Sequence, residues 1–248
     1  MMRRCLWMIP MMMLMIVWGS ASAQEQITPP AGEGVPDAQA VSVRADDRLT
    51  LHGDFYLLDP ERPTILLLHQ LYATRASWQP LLAPLHESGY NVLAVDLRGF
   101  GATRGVINWF QAVDDVQIWL DWLRAEGGVR ADDIHIMGSS MGATLAINGC
   151  AADELCRSVI ALSPGWDYYR VSVAETIAVK PVLAIYTEND RWPALGVPRM
   201  IAAAPDTLSV DVYAGNAHGM DMVTDQYETL VPRVLAWLAA HDHSTQDH

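Results

Sequence analysis

Six short runs of apolar residues constrain the fold of this chain more than any other feature. The runs lie at residues 64–68, 91–95, 134–137, 158–162, 181–186 and 208–213. Each has the length of a single strand, and continuous apolar character is typical of strands that are buried on both faces. Helical stretches separate the runs, and strands that alternate with helices form a mostly parallel, doubly wound sheet. The sequence therefore predicts an α/β fold with helices on both faces of the sheet.

The clearest helical stretch lies between the second and third runs. Its apolar residues recur every three or four positions, at Phe110, Val113, Val116, Leu120 and Leu123. Charged residues such as Asp115 lie largely between these positions. This periodicity predicts an amphipathic helix that packs its apolar side against the sheet.

Segments of different composition flank the predicted domain. Residues 24–40 contain several Pro and Gly residues without an apolar period, so we expect a flexible leader there. Residues 41–44 and 49–58 flank a short polar turn and predict an antiparallel hairpin at the start of the domain. We expect the domain to span residues 41–240 and a polar tail without a metal site to occupy residues 241–248.

The first 23 residues have the layout of a secretory signal peptide. Arg3 and Arg4 precede an apolar run at residues 6–18, and small residues then supply an A-x-A cleavage site, so we predict cleavage after Ala23. The run is shorter than the roughly 20 residues that a membrane-spanning helix needs, which makes an uncleaved anchor the weaker alternative. We therefore expect an exported protein, periplasmic or secreted in a bacterial envelope, without a stable membrane anchor.

Composition and charge exclude several classes of protein. Hydrophobic residues make up 51% of the chain and charged residues 18%, which provides enough apolar surface for a sizeable core and argues against disorder. The formal net charge of −13 would repel phosphate backbones and anionic membrane surfaces. Nucleic acid is therefore not expected as a partner, and no residue pattern indicates an oligomeric state.

Two cysteines, Cys150 and Cys156, remain after the expected cleavage. In an oxidising compartment, thiols that are this close in sequence can pair, so we predict a disulfide between them. In the chain-entropy model, such a disulfide would raise the free energy of unfolding by roughly 2 kcal/mol. Two buried free thiols are the alternative.

The motif G-x-S-x-G follows the third apolar run, at residues 138–142, and helix-forming residues follow the motif. A sharp turn from strand to helix needs residues without Cβ, and it exposes the central Ser140. The N-terminus of the following helix favours negative charge that develops on a bound carbonyl oxygen. We therefore predict Ser140 as a nucleophile. Ser139 is the alternative nucleophile if the protein remains active after Ser140 is replaced.

A serine nucleophile needs a base, and the base needs an orienting carboxylate. Asp190 follows the fifth apolar run and His218 follows the sixth. Both would lie at the carboxyl ends of their strands, where parallel sheets place their chemistry. We predict that Ser140, His218 and Asp190 form a triad, with Glu188 and Asp167 as alternatives for the acid.

These motifs together resemble the serine α/β-hydrolases over about residues 41–240. The resemblance rests on three segments and two single residues, namely Leu66-Leu67-Leu68-His69-Gln70, Asp96-Leu97-Arg98-Gly99-Phe100-Gly101, Gly138-Ser139-Ser140-Met141-Gly142, Asp190 and His218. The segment from Asp114 to Gly142 is similar to the dienelactone hydrolase-like branch, which often uses a cysteine where this chain has Ser140. The resemblance implies an α/β-hydrolase fold with one mostly parallel sheet.

The same resemblance implies an oxyanion hole. In that family, one N–H donor comes from the residues after the His69 position and the other from the residue after the nucleophile. The resemblance therefore implies Leu71 and Met141 as the two donors in this chain. Gln70 is the less favoured candidate for the first donor, and relatives often carry Gly at its position. His69 is more often structural than catalytic in this setting.

The predicted function is that of an exported carboxylesterase, a serine hydrolase that cleaves small-molecule esters through an acyl-serine intermediate. No metal or organic cofactor is expected, because the nucleophile, the base and the oxyanion donors are all protein groups. Alternatives are a thioesterase or peptidase with the same triad, and a catalytically silent exported binding module. Only 16 residues separate Ser163 from Lys180, so we expect a minimal cap and an open site. Trp166, Tyr168 and Tyr169 in this insertion would line the pocket or pack against the sheet edge.

Overall fold

A computed structural model describes residues 37–243. The predicted signal peptide, most of the predicted leader and residues 244–248 lie outside this range. The strands are β1 (Gln39–Arg44), β2 (Thr50–Tyr56), β3 (Thr64–Leu68), β4 (Asn91–Asp96), β5 (Ile134–Ser139), β6 (Cys156–Leu162), β7 (Asp167–Tyr168), β8 (Val171–Ser172), β9 (Val182–Thr187) and β10 (Leu208–Tyr213). The helices are α1 (Gln79–Glu87), α2 (Trp109–Ala125), α3 (Met141–Ala151), α4 (Arg191–Ala203), α5 (Met220–Asp225) and α6 (Tyr227–His241), and a short 3₁₀ helix (Arg75–Trp78) precedes α1.

Within the described residues, eight strands form one sheet in the order β1-β2-β4-β3-β5-β6-β9-β10. β1 and β2 form an antiparallel hairpin, and β2 is also antiparallel to β4. All the other neighbouring strands are parallel. The predicted mostly parallel sheet with an N-terminal antiparallel hairpin is therefore confirmed.

The core lies in two layers, one on each face of the sheet. Successive residues of a strand point to opposite faces, so Leu66 and Leu68 of β3 belong to one layer and Ile65 and Leu67 to the other. Helices α2, α3 and α4 cover the first layer, whereas α1, α5 and α6 cover the second. Burial on both faces explains why the predicted strands are continuous apolar runs.

The apolar face of α2 differs from the predicted one. Phe110 is 57% exposed, and the bulky Trp119 and Trp122 are buried in its place. Asp115, which was expected on the polar side, is buried against Arg98, whose Nη2 and Nε lie 2.6 and 2.8 Å from its two carboxylate oxygens. Burial raises the pKa of Asp115, and the Arg98 guanidinium opposes that change. The helix therefore buries a paired carboxylate that periodicity alone assigned to solvent.

The folded domain extends past both of its expected limits. Strand β1 begins at Gln39, inside the predicted leader. At the other end α6 continues to His241, and Asp242, expected in a polar tail, is buried. Its carboxylate accepts hydrogen bonds from Tyr90 at 2.8 Å and from His135 at 3.1 Å. These long-range contacts hold Asp242, just after α6, against the sheet, and the local sequence carries no sign of them.

Cys150 near the end of α3 and Cys156 at the start of β6 are joined by a disulfide, with Cα atoms 5.3 Å apart. Both residues are buried in the core layer under α3. The predicted pairing is confirmed, and the bridge closes the connection between these two elements.

The segment between β6 and β9 contains the short β7–β8 hairpin and no helix. The expected minimal cap is therefore confirmed, and the carboxyl end of β5 stays open on this side. Among residues 37–243, no helix combines the length and the apolar character that crossing a membrane would require.

Candidate active site

The carboxyl ends of β5, β9 and β10 carry the three residues predicted as a triad. Ser140 follows β5 directly, Asp190 lies three residues after β9, and His218 lies five residues after β10. Because these strands are parallel members of one sheet, their carboxyl ends meet at the same edge. The topology thus brings together side chains that are up to 78 residues apart in sequence.

Ser140 occupies a strained turn between β5 and α3. Its φ of 54° lies in the left-handed region, where a residue with a side chain costs about 1–3 kcal/mol. A Cβ on Gly138 would collide with the carbonyl oxygen of Gly142, and a Cβ on Gly142 would collide with that of Leu68. The two glycines are therefore required for close backbone approach, and the strain falls on the serine itself.

The three side chains form one hydrogen-bonded chain. The Ser140 Oγ lies 2.7 Å from Nε2 of His218, and Nδ1 of His218 lies 2.6 Å from Oδ2 of Asp190. Because a carboxylate only accepts hydrogen bonds, Nδ1 carries the ring hydrogen and Nε2 accepts the hydroxyl hydrogen of Ser140. Asp190 is 6% exposed, whereas the His218 side chain is 34% exposed. The imidazole thus lies between a buried acid and the hydroxyl of Ser140, a residue that lines the pocket.

The alternative residues do not join this chain. Ser139 is fully buried, and its hydroxyl donates to Oε1 of Gln70 at 2.9 Å. Asp167 accepts a hydrogen bond from the Arg170 N–H at 2.9 Å, and Glu188 is exposed. The imidazole of His218 contacts Asp190 instead of either of these acids.

Three hydrogen bonds from distant side chains hold the backbone on either side of His218. The Gly219 N–H donates to Oγ of Ser163 at 2.9 Å, and the Met220 N–H donates to Oε1 of Gln70 at 2.9 Å. The Thr187 hydroxyl donates to the carbonyl oxygen of Ala217 at 2.8 Å. Sequence reasoning did not identify Ser163 or Thr187, although each lies at the carboxyl end of a predicted strand.

Leu71 and Met141, the predicted oxyanion residues, line the same pocket as Ser140. Their N–H groups have no acceptor among residues 37–243, and Met141 is the first residue of α3, where helix geometry leaves N–H groups unpaired. The Gln70 side chain is held by Ser139 and Met220, so it supports the loop of His218. The arrangement leaves backbone donors free next to the serine hydroxyl.

His69 lies directly before this loop and is fully buried. Its Nε2 accepts the Leu97 N–H at 2.9 Å. Burial lowers the pKa of His69, although the hydrogen bond to the Gln70 carbonyl acts in the opposite direction. The residue is a neutral structural group, as the sequence indicated.

A pocket of about 560 Å³ opens above Ser140. Its walls are mainly aromatic, formed by Tyr72, Tyr168, Tyr169 and Trp192. Trp166, the third aromatic residue that was considered for this wall, packs against the core. Trp192 was not identified from the sequence; it lies in the first turn of α4, a helix that the sequence analysis did not single out. The volume and apolar lining suit a small organic molecule.

A different group of residues has the spacing of metal ligands. Ligand atoms of Asp133, His135 and Asp242 all lie within 4.8 Å of one another. This group is at the amino end of β5, and Ser140 is at its carboxyl end. His135 is already hydrogen-bonded to Asp242 and, at 2.9 Å, to Ser158. The cluster is therefore separate from the triad and forms a hydrogen-bonded structural network.

The chain is similar in sequence to an uncharacterized bacterial protein. The chain is 27% identical over 111 residues to the uncharacterized protein YfhR of Salmonella typhimurium, a match that covers 43% of this chain and 38% of YfhR. The chain thus spans about two fifths of the length of that relative.

Solved structures share the fold, among them two esterases. The esterase Pf2001 of Pyrococcus furiosus superposes with a TM-score of 0.70 at 21% identity, covering 83% of this chain and 93% of that one. Esterase 2 of Thermogutta terrifontis, solved as the protein phosphoramylated by tabun, superposes with a TM-score of 0.72 at 16% identity. The match covers 83% of this chain and 95% of that one.

The family model for the alpha/beta hydrolase fold matches residues 63–198, which is more than half of the chain. The matched segment includes the strained turn at Ser140 and the acid Asp190. Together with the sheet order and the strand ends that carry the three polar residues, the match shows that this chain belongs to the alpha/beta hydrolase family.

Proposed function

We propose that this protein is a serine hydrolase that cleaves carboxylic esters of small molecules through an acyl-serine intermediate. The observation that carries the proposal is the continuous hydrogen-bonded chain from Ser140 through His218 to Asp190, which ends in an aromatic pocket. The two esterases that share the fold support the same reaction class.

In the first half of the reaction, Oγ of Ser140 attacks the carbonyl carbon of the ester. Its proton passes to Nε2 of His218, 2.7 Å away. The tetrahedral intermediate then collapses, the bond to the leaving oxygen breaks, and His218 returns the proton to the departing alcohol. Asp190 holds the imidazole tautomer and stabilises the imidazolium while it carries the proton.

In the second half, water attacks the acyl-serine and His218 accepts a proton from that water. Collapse of the second intermediate releases the carboxylic acid, and the proton returns to Oγ of Ser140. Both intermediates carry a negative charge on the former carbonyl oxygen. The free N–H groups of Leu71 and Met141 are the donors that would stabilise this charge, and removing a single such donor in comparable enzymes costs about 10²–10³ in kcat.

The proposal includes export. The signal-like sequence of residues 1–23 and the disulfide between Cys150 and Cys156 both support an oxidising compartment outside the cytoplasm.

The test is covalent labelling by a fluorophosphonate probe, combined with hydrolysis of p-nitrophenyl esters of increasing acyl length. Ser140→Ala should abolish labelling and lower turnover by roughly 10⁴-fold or more. Ser42→Ala, at an exposed serine on β1, is the matched control and should retain both. Folded protein that is not labelled would contradict the proposal and favour a silent binding module.

The leaving group is tested with a matched ester, thioester and anilide that share one acyl group. We expect the ester to be turned over fastest. Faster turnover of the thioester or the anilide would favour the thioesterase or the peptidase alternative.

A further inference from the structure

Asp167 lines the pocket above Ser140 with an exposed carboxylate that has no cationic partner among the described residues. One of its oxygens accepts the Arg170 N–H at 2.9 Å, which holds the turn between β7 and β8. An asparagine at this position could accept the same hydrogen bond. The turn therefore needs the oxygen but not the charge, and the charge is available to a bound molecule.

The charge of Asp167 is not balanced inside the pocket. Of the described residues that line it, Asp167 is the one acid and none is a lysine or an arginine. His218 must be neutral to act as a base, and a second carboxylate, Asp190, lies behind it, 2.6 Å from Nδ1. A cleft that carries charge of one sign concentrates the opposite charge, and the formal net charge of −13 adds to this effect. The pocket is therefore suited to a cation.

Three of the aromatic side chains in the pocket wall are open to solvent. Tyr72, Tyr169 and Trp192 are 86%, 58% and 58% exposed. The face of an aromatic ring attracts a cation, which strengthens binding about twofold to fivefold at exposed sites and more where water is excluded. Unlike a hydrogen-bond acceptor, a ring face also binds a quaternary ammonium ion, which has no hydrogen to donate.

Trp192 connects these rings to Asp167. Its ring meets Tyr168, the residue after Asp167, edge to face with centroids 6.3 Å apart. Asp167, Tyr168 and Trp192 also line a second cavity, of about 250 Å³, so they form one group at this end of the pocket. The guanidinium carbon of Arg191 lies 5.8 Å from the centroid of the Trp192 ring, within the range of a cation–π contact, although Arg191 does not line the pocket. The ring thus attracts a cation within the protein itself.

We propose that Asp167 and the ring of Trp192 form a subsite for a cationic group, so that the preferred substrates are esters that carry a quaternary or protonated ammonium ion. The inference rests on the proposed ester hydrolysis and adds the substrate class. The cation can lie on the acyl or on the alcohol side of the ester, and the experiment separates the two.

The experiment compares two pairs of esters in which a quaternary carbon is replaced by a quaternary nitrogen. The alcohol-side pair is 3,3-dimethylbutyl acetate and acetylcholine. The acyl-side pair is p-nitrophenyl 5,5-dimethylhexanoate and p-nitrophenyl 4-(trimethylammonio)butanoate. For each pair, the charge ratio is kcat/KM for the cationic ester divided by kcat/KM for the neutral one, after both are divided by their rate constants for hydrolysis by hydroxide. The shape of the ester is then constant within a pair, and differences in intrinsic reactivity cancel.

In the wild type the charge ratio should exceed one in one of the two pairs, which identifies the side of the ester that carries the cation. Asp167→Asn should lower that ratio about twofold to fivefold, as expected when an exposed ion pair is lost. The asparagine oxygen can still accept the Arg170 N–H, so the turn is kept. Asp206→Asn is the control, because it removes the same charge from an exposed acid just before β10, at the edge of the sheet opposite Ser140. It should leave the ratio unchanged.

Two variants test the ring. In Trp192→Leu the side chain stays apolar but has no aromatic face, so the charge ratio should fall about twofold to fivefold. Arg191→Gln removes a competing cation from the same ring, so it should raise the ratio. A wall that is only hydrophobic would change the ratio in neither variant.

Three outcomes would overturn the inference. A wild-type charge ratio at or below one in both pairs would mean that the pocket does not select a cation. A ratio that Asp167→Asn leaves unchanged, or that Asp206→Asn lowers equally, would mean that Asp167 is not part of a cation subsite. A ratio that neither Trp192→Leu nor Arg191→Gln changes would exclude the ring. If none of the esters shows turnover that depends on Ser140, the proposed function itself fails, which is distinct from Ser140-dependent turnover with unchanged ratios.

Discussion

His69 donates a hydrogen bond from Nδ1 to the carbonyl oxygen of Gln70, 2.7 Å away. Because Nε2 of the same ring accepts the Leu97 N–H, the ring hydrogen must lie on Nδ1. The Gln70 carbonyl and the Leu71 N–H belong to one planar peptide and point in opposite directions. The imidazole therefore sets the direction of the Leu71 N–H, which is the predicted oxyanion donor on this side of the pocket.

The neutral state of His69 makes folding depend on pH. Burial lowers the pKa of His69, so the unfolded chain, with a pKa near 6.5, binds this proton more readily than the folded protein. The contribution of neutral His69 to the free energy of unfolding is fully present above about pH 6.5, and it decreases as the pH falls below that value. For one group, the free energy of unfolding should fall by at most about 1.4 kcal/mol per pH unit between pH 6.5 and 5.

Urea unfolding of the wild type and of His69→Asn at pH 7 and at pH 5 checks this prediction. The asparagine amide can still donate to the Gln70 carbonyl but does not titrate, so the variant should show the smaller loss between the two pH values. Equal losses in the two proteins would show that His69 is not the group responsible.

Arg98 is the partner that makes the buried Asp115 tolerable. Replacing the arginine by methionine would leave a carboxylate without its charge partner inside the protein, which typically costs about 3–5 kcal/mol. We expect Arg98→Met to lower the free energy of unfolding by this amount. Denaturant titration should also show that Arg98→Met with Asp115→Leu recovers a large part of the loss.

Arg104→Met is the control for the general effect of removing a surface cation. Arg104 is exposed, and its substitution should change stability by no more than about 0.5 kcal/mol. A double variant that is no more stable than Arg98→Met alone would argue that the loss comes from the packing of the arginine stem or from its contact with Asp47.

The disulfide should stabilise the domain by limiting the unfolded chain. A bridge with a sequence separation of 6 closes a small loop, for which the chain-entropy model gives about 2 kcal/mol. We expect the free energy of unfolding to fall by about this amount when dithiothreitol is added. The double variant Cys150→Ala with Cys156→Ala should not respond to the reductant, and a response there would assign the effect to something other than the bridge.

The sequence was most informative where local chemistry decides the structure. Residues 208–213 were predicted as a strand and coincide with β10. A short apolar run between polar segments is compatible with few other secondary structures. The position of Ser140 between a strand and a helix follows from the glycines around it. Because Ser140, Asp190 and His218 each follow a predicted strand, the sequence also predicted that all three lie at one edge of the sheet.

The features that were missed depend on contacts between distant parts of the chain. Gln70 and Met220 are 150 positions apart, and their hydrogen bond cannot be inferred from either segment alone. Asp115 was assigned to solvent because its partner Arg98 lies in a loop outside the helix. Trp192 was overlooked because its role depends on Tyr168 in the cap hairpin.

Gly219 provides the sharpest test of how the loop positions His218. Its φ of 59° is left-handed, and a Cβ there would collide with Oε1 of Gln70 and lie 2.5 Å from Oγ of Ser139. Gly219→Ala must therefore push the loop away from these side chains, and a shift of about 1 Å in a reacting group can cost 10²-fold in rate. We expect kcat/KM for p-nitrophenyl esters to fall by about 10²-fold while the protein remains folded by circular dichroism.

Gly215→Ala separates the two effects that an added Cβ has at such a position. Gly215 lies in the same loop with a φ of 117°, but a Cβ there would meet no atom within 4 Å. The variant therefore introduces backbone strain without a collision, and it should lower stability while kcat/KM falls by far less than in Gly219→Ala. If both variants lost activity equally, backbone strain would be the cause, and the contact of the loop with Gln70 and Ser139 would not be what positions the imidazole.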